Sequence, residues 1–409
     1  MRQILKQTSW LFLAQALGRV IGLFYTIFLA RNLGVSDFGL FSSALAYFSL
    51  VSSVADFGFN RFLIREIARD HKKIPELLCN ISLLRLTLGS VIFSLFAVGL
   101  YLLDPDKLRV SLTLLAVLAV LPQAISQTLD AIFVALQKLQ YSSVALLILS
   151  LATTIFGVSL VSTGFGVVGT VVALILGQLV YLIALTFFLR VQKVRILAKI
   201  TTSTIKQAIL GSLPYGLLGI LGLLYFRIDI ILLTYLRGNF DAGIYGVAYR
   251  FLEAVVFVPS SLAAAFFPIS IKLVTQSPEK IYKLYKKSIY LLFLIALPIA
   301  AAYWLLVPFI ILRFLPQYLQ AIKVLQILSL TIPFMFMISI QGMLLFSHER
   351  FLRPLLLMGF FNLILNILLN LYLIPKYSFV GSAWATLISD IVGFSIFLLY
   401  IRAKFIAIR

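Results

Sequence analysis

Residues 34–44 read GVSDFGLFSSA, and residues 238–248 read GNFDAGIYGVA. Gly34, Asp37, Gly39 and Ala44 fall on Gly238, Asp241, Gly243 and Ala248 at an offset of 204, and Phe41 falls on Tyr245. Each stretch opens with turn chemistry and runs into an apolar segment, so each joins one long apolar run to the next. Two further matches follow in order. Pro122 and Asp130 answer Pro333 and Gln341 at offset 211, and Val168-Gly169-Thr170 answers Val380-Gly381-Ser382 at offset 212, with Ala173 over Ala385. Three ordered matches at a nearly constant offset indicate an internal duplication, with a few extra residues in the second half.

The runs flanking these stretches have the length of membrane helices. They lie at 9–30, 38–59, 77–103, 110–136, 142–163, 167–189, 209–236, 244–268, 289–311, 321–346, 354–375 and 382–401. About 20 apolar residues cross hydrocarbon as a helix, whereas a barrel strand needs about ten and alternates. Lipid offers the backbone no partner, so a spanning chain must pair its N–H and C=O groups internally. The 409 residues are 62% hydrophobic and 12% charged, against about 25% charged in soluble domains, and the deficit runs the whole length. The fold expected is an all-α polytopic membrane protein of about twelve transmembrane helices in two six-helix bundles. Their bounds are 1–205 and 206–409, joined by the basic stretch 190–208. Six spans per repeat is an even number, so both halves sit the same way up, as in parallel-repeat transporters.

Lysine and arginine set the orientation. With the N-terminus in the cytoplasm, 23 of the 34 basic residues fall in cytoplasmic segments and 6 in outer loops. This places both termini in the cytoplasm, and the membrane expected is the cell (cytoplasmic/inner) membrane. It also accounts for most of the net charge of +20 without nucleic acid. The run after Arg2 and Lys6 carries Gln15 and Arg19 and ends without a small-residue cleavage site, so it reads as a retained first helix. Cys79 is the single cysteine and His71 and His348 the only histidines, which excludes an intrachain disulfide and a histidine-based metal site. No nucleophile–base pair and no phosphate loop is visible. No cofactor is expected and the chain does not read as an enzyme.

Ionisable groups inside membrane helices are costly and face a cavity or a partner. This chain has Arg19, Arg85, Arg227, Arg250 and Lys323 against Asp56, Asp130, Asp229, Glu253 and Asp390. Their spacing is helical. Gln15, Arg19, Gly22 and Thr26 share one face; Ser42, Ser49 and Asp56 repeat every seven; Gln123, Gln127 and Asp130 follow just after Pro122. Asn362, Asn366 and Asn370 form a ladder, and Arg250 can pair with Glu253 three residues on. Arg227 and Asp229 lie about 200° apart on a helix and cannot face one cavity. Two readings stand for the uncharged stripes: they line an interior, or they join helices by hydrogen bonds. Asp56, Arg85 and Asp130 read as one charge cluster that gates or staples the first half. Asp56, Asp130, Asp229, Glu253 and Asp390 are the candidates for ion coupling.

The stretches ARNLGVSDFGLFSSALAYFSLVSSVADFGFNRFLIREIAR (30–69), SLPYGLLGILGLLYFRIDIILLTYL (212–236) and DAGIYGVAYRFLEAVVFVP (241–259) resemble the polysaccharide-biosynthesis flippases. These belong to the multidrug/oligosaccharidyl-lipid/polysaccharide exporter superfamily. The resemblance implies a MATE-like pair of bundles around a V-shaped cavity that opens alternately to each side. It implies transport of a polyprenyl-pyrophosphate-linked oligosaccharide to the outer leaflet. The implied partners are that glycan, membrane lipids, and polysaccharide polymerase and chain-length machinery. Related lipid II flippases place essential arginines on helices 1 and 8, and Arg19 and Arg250 are similar in placement. With Arg227, Gln15, Asn362 and Asn366 they are the candidate substrate contacts. Lipid II flippases usually carry fourteen helices, so twelve favours the oligosaccharide branch. A cation-coupled multidrug exporter is the competing function, and it predicts an acidic cavity.

Overall fold

A computed structural model describes residues 2–193, 200–276 and 278–406; residues 194–199 of the expected basic connection lie outside them. The helices are α1 (Arg2–Leu33), α2 (Val35–Asp56), α3 (Phe59–Arg69), α4 (Ile74–Leu103), α5 (Lys107–Leu118), α6 (Val120–Ala135), α7 (Leu139–Ser162) and α8 (Gly166–Val191). There follow α9 (Thr202–Arg237), α10 (Asn239–Val255), α11 (Phe257–Gln276), α12 (Pro278–Phe314), α13 (Ala321–Ser329), α14 (Ile332–Phe346) and α15 (Leu352–Ile406). The chain is 93% helical with no strand among the described residues, the helical solution to pairing a backbone in lipid.

Among the described residues ten helices are long and apolar enough to cross a membrane, and α13 with α14 makes an eleventh across a 45° bend. α15 counts once among the ten, yet it holds 55 residues and is broken at Ser378, where φ is 51° and ψ −134°. That length suits two crossings. The described residues therefore supply the expected twelve spans. The break before α5 is built on an acidic pair, Asp104 and Asp106. Asp106 caps α5 by accepting from the N–H groups of Leu108 and Arg109, both at 3.1 Å, while Asp104 ion-pairs with Arg109.

The duplication is visible in the breaks. Proline lacks an N–H and its ring collides with the carbonyl four residues earlier. Four before Pro122 is Leu118, the last residue of α5; four before Pro333 is Ser329, the last residue of α13. Each repeat therefore breaks its fourth membrane segment at the same point and for the same reason.

Compact packing divides the chain into two units: Met1–Leu33 with Leu40–Arg227, and Gly34–Gly39 with Ile228–Arg409. These bounds differ from the 1–205 and 206–409 of the repeat. The physical reason is α9, which runs unbroken through the expected boundary. Its first half packs on the first unit, where Gly211 meets the Phe62 ring and Gly216 meets the backbone of Phe57. Within that unit α7 receives α1 and α8 on small residues: a Cβ at Gly157 would overlap the Tyr25 hydroxyl, and one at Gly177 would overlap Thr153. A core of Phe59, Phe62, Leu63 and Ile67 from α3 with Ile81, Ile132, Phe133 and Leu185 holds the unit at one end.

Within the second unit the residues 34–39 close on the start of α10. A Cβ on Gly39 would overlap the carbonyl oxygen of Asn239, and one on Gly243 would overlap the carbonyl oxygen of Val35. Val35 and Asn239 are themselves related by the offset of 204. Each glycine thus accepts the backbone of the other repeat, a local two-fold. Tyr318 secures the segment by donating to the Gly34 carbonyl at 3.1 Å and setting its ring edge-on to Phe38.

Gly39→Ala or Gly243→Ala forces these backbones apart. Thermal unfolding of the purified chains should show a loss of about 1–3 kcal/mol, the range of overpacked sites. Gly99→Ala, which meets nothing within 4 Å, should leave the transition in place.

Candidate functional site

A cavity of about 490 Å³ opens in the first unit between α2, α3, α6 and α9. Its polar wall is Ser49, Ser52, Ser53 and Asp56 from α2 with Gln123 and Gln127 from α6, and Asn60 closes one end. The two polar stripes read from the sequence therefore meet: Ser52 donates to the Gln123 side-chain oxygen at 2.6 Å. The facing wall is α9, with Leu218, Leu223 and Phe226 beside Gly219 and Gly222. Neither glycine would bring a Cβ within 4 Å of another group, so this wall is low and lined by backbone. Asn60 and the α9 glycines were not among the expected site residues. The three-residue glycine spacing at 216, 219 and 222 was the available signal.

Asp56 is the ionisable residue on the cavity wall, and its charge is met from behind. Arg85, wholly buried, donates to the Asp56 carboxylate, to the Thr128 hydroxyl at 2.9 Å and to the Ala124 carbonyl at 3.4 Å. A guanidinium away from water needs such a set of acceptors, because an unmet buried charge costs several kcal/mol. Asp130 does not join them. It accepts from Ser142 and Tyr181 in a separate network between α6, α7 and α8. The expected single cluster is thus two.

In the second unit Asp229 is 2% exposed. It accepts from Tyr245 at 2.8 Å, Thr386 at 2.6 Å and Asn370 at 2.7 Å. Asn370 also donates to Asn366, and Asn366 donates to Ser389 at 3.2 Å. The asparagine ladder is therefore an interhelical network. Asn366, expected at a substrate surface, is fully buried inside it, because its position in the ladder turns it toward Ser389 of the same two-armed helix α15. Asn362, a turn earlier, is half-buried with its amide against Gly393. Asp390 is also buried.

The arginines occupy different settings. Arg19 and Gln15 lie one turn apart on α1, both exposed, and Arg19 makes no ion pair among the described residues. The buried stripe of α1 runs through Ala14, Tyr25, Leu29 and Ala30 instead. Arg250 pairs with Glu253 at 3.0 Å on α10, both largely buried, as their spacing allows. Arg227 is half-buried near the end of the first unit, whereas Asp229 is enclosed in the second. They lie about 200° apart around α9.

A helical membrane chain with a parallel internal repeat and polar groups gathered inside it is the construction of a transporter. Residues 4–274 match the family described as polysaccharide biosynthesis protein, and residues 214–372 match the MatE family. The chain belongs to the polysaccharide biosynthesis protein family. It is 25% identical over 423 aligned positions to an uncharacterized membrane protein of Methanocaldococcus jannaschii, covering 93% of this chain and 80% of that one. It is similar in fold to a lipid II flippase in an inward closed conformation, with TM-score 0.73 and 17% identity over 96% of this chain and 87% of that one. It is also similar to an outward-facing multidrug resistance MATE transporter, with TM-score 0.71 and 17% identity over 98% of this chain and 96% of that one. The families matched and these neighbours are transporters and flippases.

Removing Asp56 leaves the Arg85 charge buried without its counter-ion, and removing Arg85 leaves the Asp56 carboxylate on the cavity wall without its own. Asp56→Asn or Arg85→Met alone should cost about 3–5 kcal/mol in thermal or denaturant unfolding, and the double change should recover most of it. Equal loss in the single and double variants would show that the pair is not what holds these helices.

Proposed function

We propose that this chain moves a polyprenyl-pyrophosphate-linked oligosaccharide from the cytoplasmic to the outer leaflet of the cell membrane, for cell-surface polysaccharide synthesis, by alternating access. The observation that carries the reading is the lining of the first-unit cavity. Hydroxyl and amide side chains on one wall and glycine backbone on the other suit a sugar, which offers many hydroxyls and a shallow apolar face. A sugar needs several hydrogen bonds of modest strength, and Ser49, Ser53, Asn60 and Gln127 supply donors and acceptors at the right density. Family membership supports the same substrate class, and one structural neighbour is a lipid II flippase.

The pyrophosphate calls for cations. Arginine presents a planar fork that matches phosphate oxygens, so Arg19, Arg227 and Arg250 are the residues assigned to it at successive stages of passage. The lipid tail stays in the bilayer. The Lys and Arg distribution supports cytoplasmic termini, so the substrate is taken from the side where such glycans are assembled and passed to polymerase and chain-length machinery outside.

A cation-coupled multidrug exporter has one observation in its favour, the carboxylate of Asp56 on the cavity wall. Arg85 already answers that charge, which weakens its pull on an organic cation. The deciding experiment is transport by the purified chain in proteoliposomes. Gln127→Ala should reduce flipping of a polyprenyl-pyrophosphate-linked glycan at least tenfold and leave unfolding unchanged. Efflux of organic cations with no glycan movement by the native chain would replace the flippase reading with the exporter.

Coupling to an ion gradient belongs to Asp229. It is a carboxylate of α9 enclosed by neutral hydroxyl and amide groups of α10 and α15, with Asp390 buried on the same α15. Asp229→Asn preserves the shape and the bond from Thr386 but removes the charge. In the same proteoliposomes it should abolish the response of flipping to an imposed Na⁺ or proton gradient while gradient-independent movement persists. An unchanged gradient response would take Asp229 out of the coupling role.

A further inference from the structure

The cavity has a cationic approach that the polar lining does not explain. α3 begins directly after Gly58, whose φ of 78° turns the chain off the end of α2. A Cβ at Gly58 would collide with the backbone of Gly216, so the turn is pressed against α9. Phe59, Phe62, Leu63 and Ile67 bury one face of α3 in the core. That burial leaves the helix little freedom to roll or slide.

The opposite face carries Arg61, Arg65 and Arg69, all exposed. They recur every four residues, so they form a stripe with steps of about 6 Å along the axis. Each is held in place. Arg61 lies over the Tyr215 ring at 5.9 Å and feels the Asp56 carboxylate. Arg65 lies over Phe62 at 5.7 Å, and Glu66 ion-pairs with Arg65 at 3.2 Å and with Arg69 at 3.5 Å. One carboxylate thus aligns two guanidiniums and leaves the stripe cationic. Lys72 and Lys73, both exposed, extend the positive field past its far end. Its near end abuts the cavity, because Asn60 and Asp56 are cavity wall and Arg61 is the next residue.

A charge scattered for topology alone would need neither the four-residue register nor the rigid seat. We propose that the stripe Arg61, Arg65 and Arg69 captures the pyrophosphate of the lipid-linked substrate and guides it toward the cavity mouth. This rests on the flippase reading. The chemistry is that of fork-shaped cations toward phosphate oxygens, repeated at a spacing that lets the diphosphate pass from one to the next. Surface charges of this kind act on encounter more than on residence, so the stripe should govern the association rate.

The test uses the full chain in nanodiscs of zwitterionic phosphatidylcholine, with a fluorescent polyprenyl diphosphate as probe in stopped-flow mixing. The variant is Arg61→Gln/Arg65→Gln/Arg69→Gln, which retains helix-forming side chains and the buried face; its circular dichroism and melting should match the native chain. Association should slow at least tenfold and lose most of its salt dependence, while dissociation changes little. Association of the well-folded variant at the native rate would overturn the stripe and leave the flippase reading standing. Absence of any polyprenyl diphosphate binding by the native chain would instead remove the flippase reading itself. Competition by phosphatidylglycerol with potency equal to the diphosphate would reduce the stripe to a general anionic-lipid contact and overturn the proposal. If the variant unfolds, Arg65→Gln alone, which leaves the Arg61–Tyr215 contact in place, gives the same decision from a smaller expected slowing of about threefold.

Discussion

Arg85 carries its charge at zero exposure, and the arrangement around it follows from that. In a medium of low dielectric an ion cannot stand unless acceptors surround it, and hydrocarbon offers none. α2 must therefore bring Asp56, and α6 must bring Thr128 and the Ala124 carbonyl, to one point. Once α2 and α6 are joined there, Ser49, Ser52 and Ser53 necessarily face Gln123 and Gln127, and a polar cavity exists beside them. The ion pair thus serves two ends. It ties helices that the hydrophobic effect alone cannot select in lipid, and it presents a carboxylate to the cavity with its charge largely answered.

The same constraint produces a different solution in the second unit. Asp229 has three neutral donors where Asp56 has a guanidinium. A carboxylate met by hydroxyls and an amide is held in place by hydrogen bonds rather than by an opposite charge. The two repeats descend from one pattern, but they have divided the work: polar lining with a neutralised acid in the first, a buried acid with neutral partners in the second. The shared inheritance survives where geometry leaves no choice. Gly39 and Gly243 each admit the other repeat's backbone, and Pro122 and Pro333 each end a helix four residues back.

The membrane fold was legible because its signals are local. Runs of about 20 apolar residues and Gly34 and Gly238 at the turns act within a few residues of themselves. The repeat was legible because glycine and proline positions are enforced by backbone contact. The helical faces of Ser49, Asp56, Gln123 and Gln127 were likewise legible from spacing, and they do meet in the cavity.

Partner choice was not. Spacing places Asp56, Arg85 and Asp130 on interior faces, but only packing decides that Arg85 turns to Asp56 while Asp130 turns to Ser142. The ladder Asn362, Asn366 and Asn370 has one periodicity and three environments, since Asn366 and Asn370 close on Ser389 and Asp229 and Asn362 does not. The compact units are not the halves of the repeat, since α9 is continuous and its glycines seat its first half against Phe57 and Phe62, a contact made far apart in the chain. By itself the sequence determined that the chain is built of membrane-spanning helices and which residues of each share a polar face, since these depend on neighbours within one or two turns. Which polar face meets which, and so where a cavity opens, was decided by tertiary structure, because in lipid that choice rests on close packing and specific hydrogen bonds between residues far apart in the chain.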